Sequence, residues 1–215
     1  MGGAGRLVAE RALRTAIADG DLLPGVRLVE ADLVAMLGVS RGNVRLAIDA
    51  LDAEGLVERI PNRGARVRVI APDEAVAITE ARMVLEALIA RKAAERATSA
   101  DIEGLRSHLA TLRSALETGD LPKYSTLIQR LHELIRDVAA QPVAAGLVDR
   151  LQAQLVRHQF QLSLRPGRPQ VSLGELTALV DAIAERDPDR AEAAAVNHFR
   201  SVITALTEPI PGGPA

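Results

Sequence analysis

Residues 37–48 read LGVSRGNVRLAI, and no other stretch constrains the local structure so tightly. Before it, EADLVAML places Leu33, Val34 and Leu37 at helical spacing, so a short helix is predicted over 30–37. Gly38 then suits the left-handed residue that closes a helix. Ser40 suits the N-cap of the next one, because its hydroxyl can accept from an orphan N–H of the first turn. That second helix is predicted to run to about residue 54, with Val44, Ala47, Ile48 and Leu51 as its apolar stripe and Gly55 as its stop. Two short helices joined by so tight a turn have the layout of a helix-turn-helix.

The flanking sequence builds a small unit around this motif. Residues 6–19 are predicted as an amphipathic helix with apolar Leu7, Leu13, Ile17 and the alanines between them. Pro24-Gly25 marks a turn. Residues 56–60 and 65–70 are β-like runs separated by Pro61-Asn62-Arg63-Gly64, a hairpin signal. Ala71-Pro72-Asp73 reads as a linker. Beyond it helices are predicted at 73–97, 99–118, 121–139, 143–163, 172–186 and 188–207, joined by short loops as in an antiparallel bundle. The expected fold is mostly α: a helix-turn-helix domain with a small β-hairpin over 1–71, an all-α antiparallel bundle over 72–208, and a disordered tail over 209–215. The core must come from Leu, Val, Ile and Ala, since the 215 residues include two Phe, one Tyr and no Trp.

That scarcity of aromatics also argues against base stacking on single-stranded nucleic acid. There is no Cys, so disulfides and Cys-based zinc sites are excluded. The sequence has no apolar run of membrane-spanning length and no signal-peptide core at MGGAGRLVAE, so a cytoplasmic protein with no membrane partner is expected. The formal charge of −2 leaves room for a local basic patch. Arginines at 41 and 45, one helical turn apart, and the hairpin's Arg59, Arg63, Arg66 and Arg68 supply one.

The chemistry of the helix start suits double-stranded DNA. In a helix-turn-helix the N-terminal end of the second helix enters the major groove. Ser40 can reach a phosphate, Arg41 can pair bidentately with guanine, and Asn43 can offer its amide to adenine. Arg45 can reach backbone or base. Gly64 at the hairpin tip permits close approach to the minor groove, with Arg63 and Arg66 beside it.

Residues 17–67 resemble the winged-helix domain of GntR-family bacterial regulators. The features that carry the resemblance are Gly20, Pro24-Gly25, Leu28, Leu33-Val34-Ala35, Leu37 to Arg41, Val44-Arg45, Ala47-Ile48, Leu51, Glu54 to Val57, and Arg63-Gly64. The family usually reads Ser-Arg-Thr-Pro-Val-Arg, whereas Gly42-Asn43 stand here in place of Thr-Pro. The resemblance implies DNA roles for Ser40, Arg41, Asn43, Arg45, Arg63 and Gly64. It also implies a homodimer on a palindromic operator.

The helical part resembles the sensor domain of the FadR subgroup, through Arg82 to Glu86, Ala93-Ala94, His132, Ser172 to Glu175, Ala182-Ile183, Arg186-Asp187, Ala191 and His198. Many of its members hold a metal through one Asp and three His. On that pattern the ligand positions here are Ile128, His132, Leu176 and His198. Two aliphatic side chains cannot coordinate an ion, and two His leave a divalent cation short of donors. No metal or other cofactor is therefore expected. The resemblance places an effector pocket at Arg82, Ile128, His132, Leu176 and His198. An arginine fork suits an organic acid, and Ile128 and Leu176 suit a less polar one. His132 and His198 have a plainer reading as satisfied polar residues of the bundle, and Arg82 as the partner of Glu86 four residues on.

The function expected is a transcriptional regulator whose operator affinity a small molecule controls. A regulator with a vestigial pocket stays open as the second reading. An enzyme is not expected: repeated Glu-x-x-His, G-x-S-x-G, a phosphate loop and H-E-x-x-H are all missing.

Overall fold

The computed structural model describes residues 2–18, 20–61 and 63–208. The expected disorder of 209–215 and the hairpin position Asn62 lie outside the described residues. Two compact units meet at the Ile70–Ala71 bond.

The first unit holds α1 (Gly2–Ala18), β1 (Arg27–Leu28), α2 (Glu30–Leu37), α3 (Arg41–Ala53), β2 (Val57–Ile60) and β3 (Gly64–Val67). Gly38 closes α2 at φ 64°, in the left-handed region, and its N–H bonds to the Val34 carbonyl. Ser40 caps α3 from an extended conformation, its Oγ accepting from the Asn43 N–H at 3.3 Å. Val44, Ala47, Ile48 and Leu51 form the buried stripe of α3. Fully burying each of Val44, Ile48 and Leu51 contributes about 1.5–3 kcal/mol of transfer free energy.

α1 adds Ala9 and Leu13 to that core, but Leu7 is exposed. At 100° per residue Leu7 lies on the opposite side of the helix from Ala9 and faces outward. The sheet has three strands in the order β1-β3-β2, all antiparallel. Sequence reading found the β2–β3 hairpin and missed β1, since two residues are too few to show alternation. Leu28, Val57, Ala65 and Val67 pack inward. Arg27, Arg66 and Glu58 stand side by side across the outer face.

The second unit holds α4 (Pro72–Arg96), α5 (Ser99–Glu117), α6 (Leu121–Ala139), α7 (Pro142–Gln154), α8 (Val156–Ser163), α9 (Arg168–Ala184) and α10 (Pro188–Thr207). α4 is central, packing on α6, α7, α9 and α10. Its inner face is built from small residues, Ala87, Ala90, Ala93 and Ala94, which let neighbouring helices approach closely. Two boundaries differ from expectation. The helix expected over 143–163 is broken at Leu155, a break that no Gly or Pro announces. α9 begins at Arg168 rather than 172, because Pro169 sits in the first turn, where its missing N–H costs nothing.

Candidate functional site

In the first unit the recognition edge is the start of α3. Arg41 and Arg45 are both exposed, and both face Glu30 at the start of α2. Arg45 Nε donates to both Glu30 oxygens at 2.9 Å, and Arg41 Nε lies 3.7 Å from the same carboxylate. The hydrogen bond and charge of Glu30 hold the Arg45 guanidinium pKa above its ordinary value. Glu30 was missed by sequence reading, since fifteen residues separate it from Arg45.

Asn43 departs from expectation. It is half-buried rather than projecting freely, and its amide lies so close to Gly5 of α1 that a Cβ there would overlap it. Helical side chains lean toward the N-terminus, and at the third residue of α3 that direction leads to α1.

On the hairpin, Gly64 has φ 87°, a conformation that favours glycine. Arg63 is exposed and makes no ion pair among the described residues. Arg66 is exposed and donates to Glu58 across the strands at 2.7 Å. Arg27 of β1 is paired with Arg66 in the sheet and joins the same basic face. Arg59 instead ties β2 to Asp49 of α3 through Nε at 3.0 Å.

In the second unit a cavity of about 70 Å³ lies among α4, α6, α7, α8, α9 and α10. That is room for a few waters or a small ligand. Arg82, Ile128, His132 and His198 line it, so four of the five expected residues converge there. Leu176 does not. It is fully buried in the hydrophobic core with Leu179 and Val180, one helical turn beyond Ser172, which does line the cavity.

The polar groups of the cavity form two networks. In one, Arg82 and Glu86 are paired at 3.0 Å, Arg136 Nη1 lies 3.9 Å from Glu86, and His132 Nδ1 lies 4.0 Å from it. The Arg82 guanidinium also stacks over the Phe199 ring, 5.2 Å from its centroid. Burial, then the charges of His198, Arg82 and Arg136, push the His132 pKa well below its ordinary value, so its ring is neutral. Burial likewise lowers the Arg82 pKa, against the opposing pull of Glu86.

In the other network Glu175 Oε2 lies 2.8 Å from His198 Nδ1 and 3.1 Å from Arg168 Nη1. Burial works to raise the Glu175 pKa, but hydrogen bonds from His198 and Ser201 and the charge of Arg168 win, and it is lowered. Tyr124 Oη donates to the Pro169 carbonyl at 2.8 Å, tying α6 to α9.

These residues do not suit a metal ion. Ile128 and Leu176 have no lone pairs to give, and His198 Nδ1 is already engaged by Glu175. No group of three or more His, Asp or Glu among the described residues could hold an ion. Arg136, Gln152, Glu175 and Arg168, which complete the networks, were missed by sequence reading. Arg136 lies one turn after His132 on α6, while Gln152 on α7 and Arg168 and Glu175 on α9 are brought in by packing.

A helix-turn-helix with a basic hairpin wing, followed by a helical bundle around a mostly apolar cavity holding a few polar groups, defines a class: DNA-binding transcriptional regulators with a separate helical domain. The chain belongs to the GntR family of bacterial regulatory proteins, whose model matches residues 6–67, with an FCD domain matched over residues 77–201. It is a regulator rather than an enzyme.

It is 27% identical to the HTH-type transcriptional repressor RspR of Escherichia coli K12, over 92% of this chain and 87% of that one. It is 30% identical to the HTH-type transcriptional repressor NanR of Cronobacter sakazakii, over 88% of this chain and 78% of that one. Among solved structures, E. coli McbR/YncC superposes with a TM-score of 0.79 at 22% identity, covering 94% of this chain and 96% of that one. No helix among the described residues is long and apolar enough to cross a membrane.

Proposed function

We propose that this chain is a ligand-responsive repressor that acts as a cytoplasmic homodimer on a palindromic operator. Residues 1–71 form the DNA-binding domain and residues 72–208 the effector-binding and dimerisation domain. Arg41 and Arg45 enter the major groove from α3, while Ser40 contacts phosphate. Arg63, Gly64 and Arg66 meet the adjacent minor groove as the wing. Asn43 reaches DNA only by leaving its seat against Gly5. The repressor assignment follows from the similarity to the repressors RspR and NanR. Exposed Val84 and Leu88 on α4, and Val143 and Leu147 on α7, support self-association through an apolar surface.

The effector is a small organic acid held at Arg82, Ile128, His132 and His198, without a metal. One observation carries this reading: a cavity in which a few polar groups converge on mostly apolar walls, with a buried arginine among them. Effector and operator are then coupled by linkage, each altering affinity for the other by the same factor.

The test is a thermal-shift screen of the full chain against organic acids, with EDTA as the metal control. Each stabilising compound is then added to the protein bound to a duplex selected from a random pool. A compound that raises Tm and shifts DNA affinity at least about fivefold supports effector control. An EDTA-dependent fall in Tm would overturn the metal-free site. Binding to DNA that no compound alters would favour the vestigial pocket, a reading supported by the internal pairing of Arg82 with Glu86.

A further inference from the structure

Gln152, near the end of α7, shares one side-chain oxygen between two buried guanidinium groups. Arg82 Nη2 and Arg136 Nη1 each donate to its Oε1 at 3.4 Å, beyond the usual range for such bonds. Arg82 is only 2% exposed, and its Nε–H has no hydrogen-bond partner among the described residues. A buried donor left unpaired is costly, and an unpaired part of a buried cation more so.

The charges around it are also out of balance. Two buried arginines face one buried carboxylate, Glu86. Asp149 reaches Arg136 at 3.2 Å, but its side chain is 63% exposed and well solvated. His132 adds no charge at neutral pH, because burial keeps its ring unprotonated. The pocket around Arg82 is therefore short of both acceptor atoms and negative charge. Arg82 and Gln152 both line the cavity, beside the apolar Ile128, Leu162 and Val202.

We infer that Gln152 is a place-holder: a small monocarboxylate displaces its amide oxygen from Arg82 and also takes the unpaired Nε–H. The inference rests on effector control of this cavity, and it names both the ligand chemistry and the residue that yields to it. A carboxylate presents two oxygens to two parallel N–H donors along one edge of a guanidinium, which one amide oxygen cannot do. One negative charge balances the surplus, and the apolar walls take the rest of the ligand. Gln152 lies three residues before the break at Leu155, and α8 beyond it contributes Gln159, Leu162 and Ser163 to the cavity wall. Displacing the Gln152 oxygen from Arg82 thus releases this tie between α7 and α4.

Gln152→Glu places a carboxylate at the same point with no ligand needed. The groups facing it are Arg82 and Glu86 on α4, His132 and Arg136 on α6, Asp149 on α7 and His198 on α10. Thermal unfolding of the full chain at pH 7 is expected to give a Tm raised by roughly 3–6 °C. The new carboxyl, paired with arginine, has its folded pKa held below the unfolded value of about 4.3. The gain is therefore present above that pH and lost as pH falls through the folded pKa. Gln152→Leu removes the oxygen without adding charge and is expected to lower Tm.

An unchanged or lowered Tm for Gln152→Glu at pH 7 would overturn the inference. So would a rise of equal size for Gln152→Leu, since packing would then be the cause. An unstabilised Glu variant in a protein that responds to organic acids would sink the place-holder alone. A stabilised Glu variant with a silent metabolite screen would instead sink effector control.

Discussion

Two arginine–glutamate pairs in this molecule share their chemistry and differ in surroundings. Arg45 and Glu30, in the DNA-binding unit, are 59% and 30% exposed. Arg82 and Glu86, in the bundle, are each 3% exposed. The first pair is solvated, so its attraction is screened and its arginine can exchange a carboxylate for a phosphate or a base at little cost. The second has lost its water, so neither partner can leave without stranding the other. An exposed pair thus suits recognition, and a buried one suits the wall of a site.

The strongest way to break this contrast is to remove the buried carboxylate. Glu86→Ala leaves Arg82 and Arg136 facing each other with no buried counter-charge, and is expected to destabilise the bundle by about 3–5 kcal/mol. Denaturant unfolding followed by circular dichroism measures it. A loss below about 1 kcal/mol would mean that the pair is solvated after all.

In the DNA-binding unit the expected losses are of affinity instead. Arg63→Ala should weaken binding to all duplexes alike and reduce the salt slope by about one, as for a lost phosphate contact. Fluorescence anisotropy at several salt concentrations reads both effects. A loss confined to one duplex sequence would reassign Arg63 to base reading.

The pH dependence sharpens the bundle side. The folded pKa of His132 is depressed by burial, so below about pH 6.5 the unfolded chain takes up a proton that the folded one refuses. Stability is then lost as pH falls below that value, by about 1 kcal/mol per pH unit. His132→Gln should flatten this slope in urea titrations between pH 5 and 6.5. An unaltered slope would assign it to another group.

The smallest effect is expected at Glu30. Glu30→Gln removes the acid that competes with DNA for Arg41 and Arg45. It should tighten binding to a random duplex a few-fold and lower the ratio of selected to random affinity. An unchanged ratio would mean that Glu30 does not influence recognition.

The same contrast explains what the sequence could reveal. The helix-turn-helix was legible because its signals are local: Gly38 for a left-handed turn, Ser40 for a cap, and Val44, Ala47, Ile48 and Leu51 for a stripe. The bundle's helices were legible for the same reason, except at Leu155, where no residue type marks the break, and at the start of α9, where Pro169 sits inside the first turn. Glu30, Arg136, Gln152 and Glu175 were not legible, because their roles arise from partners on other helices. Leu176 misled because family position, rather than its own chemistry, pointed to the pocket. Asn43 misled because α1, some forty residues earlier, is what it packs against.

The most direct measurement pairs two readouts on one variant, Arg45→Ala: affinity for a duplex selected by the wild-type chain, and Tm. Affinity is expected to fall roughly tenfold while Tm stays within about a degree of wild type, as for an exposed arginine that serves DNA. Unchanged affinity, or a fall in Tm comparable with that of Glu86→Ala, would contradict the assignment of α3 as the recognition edge.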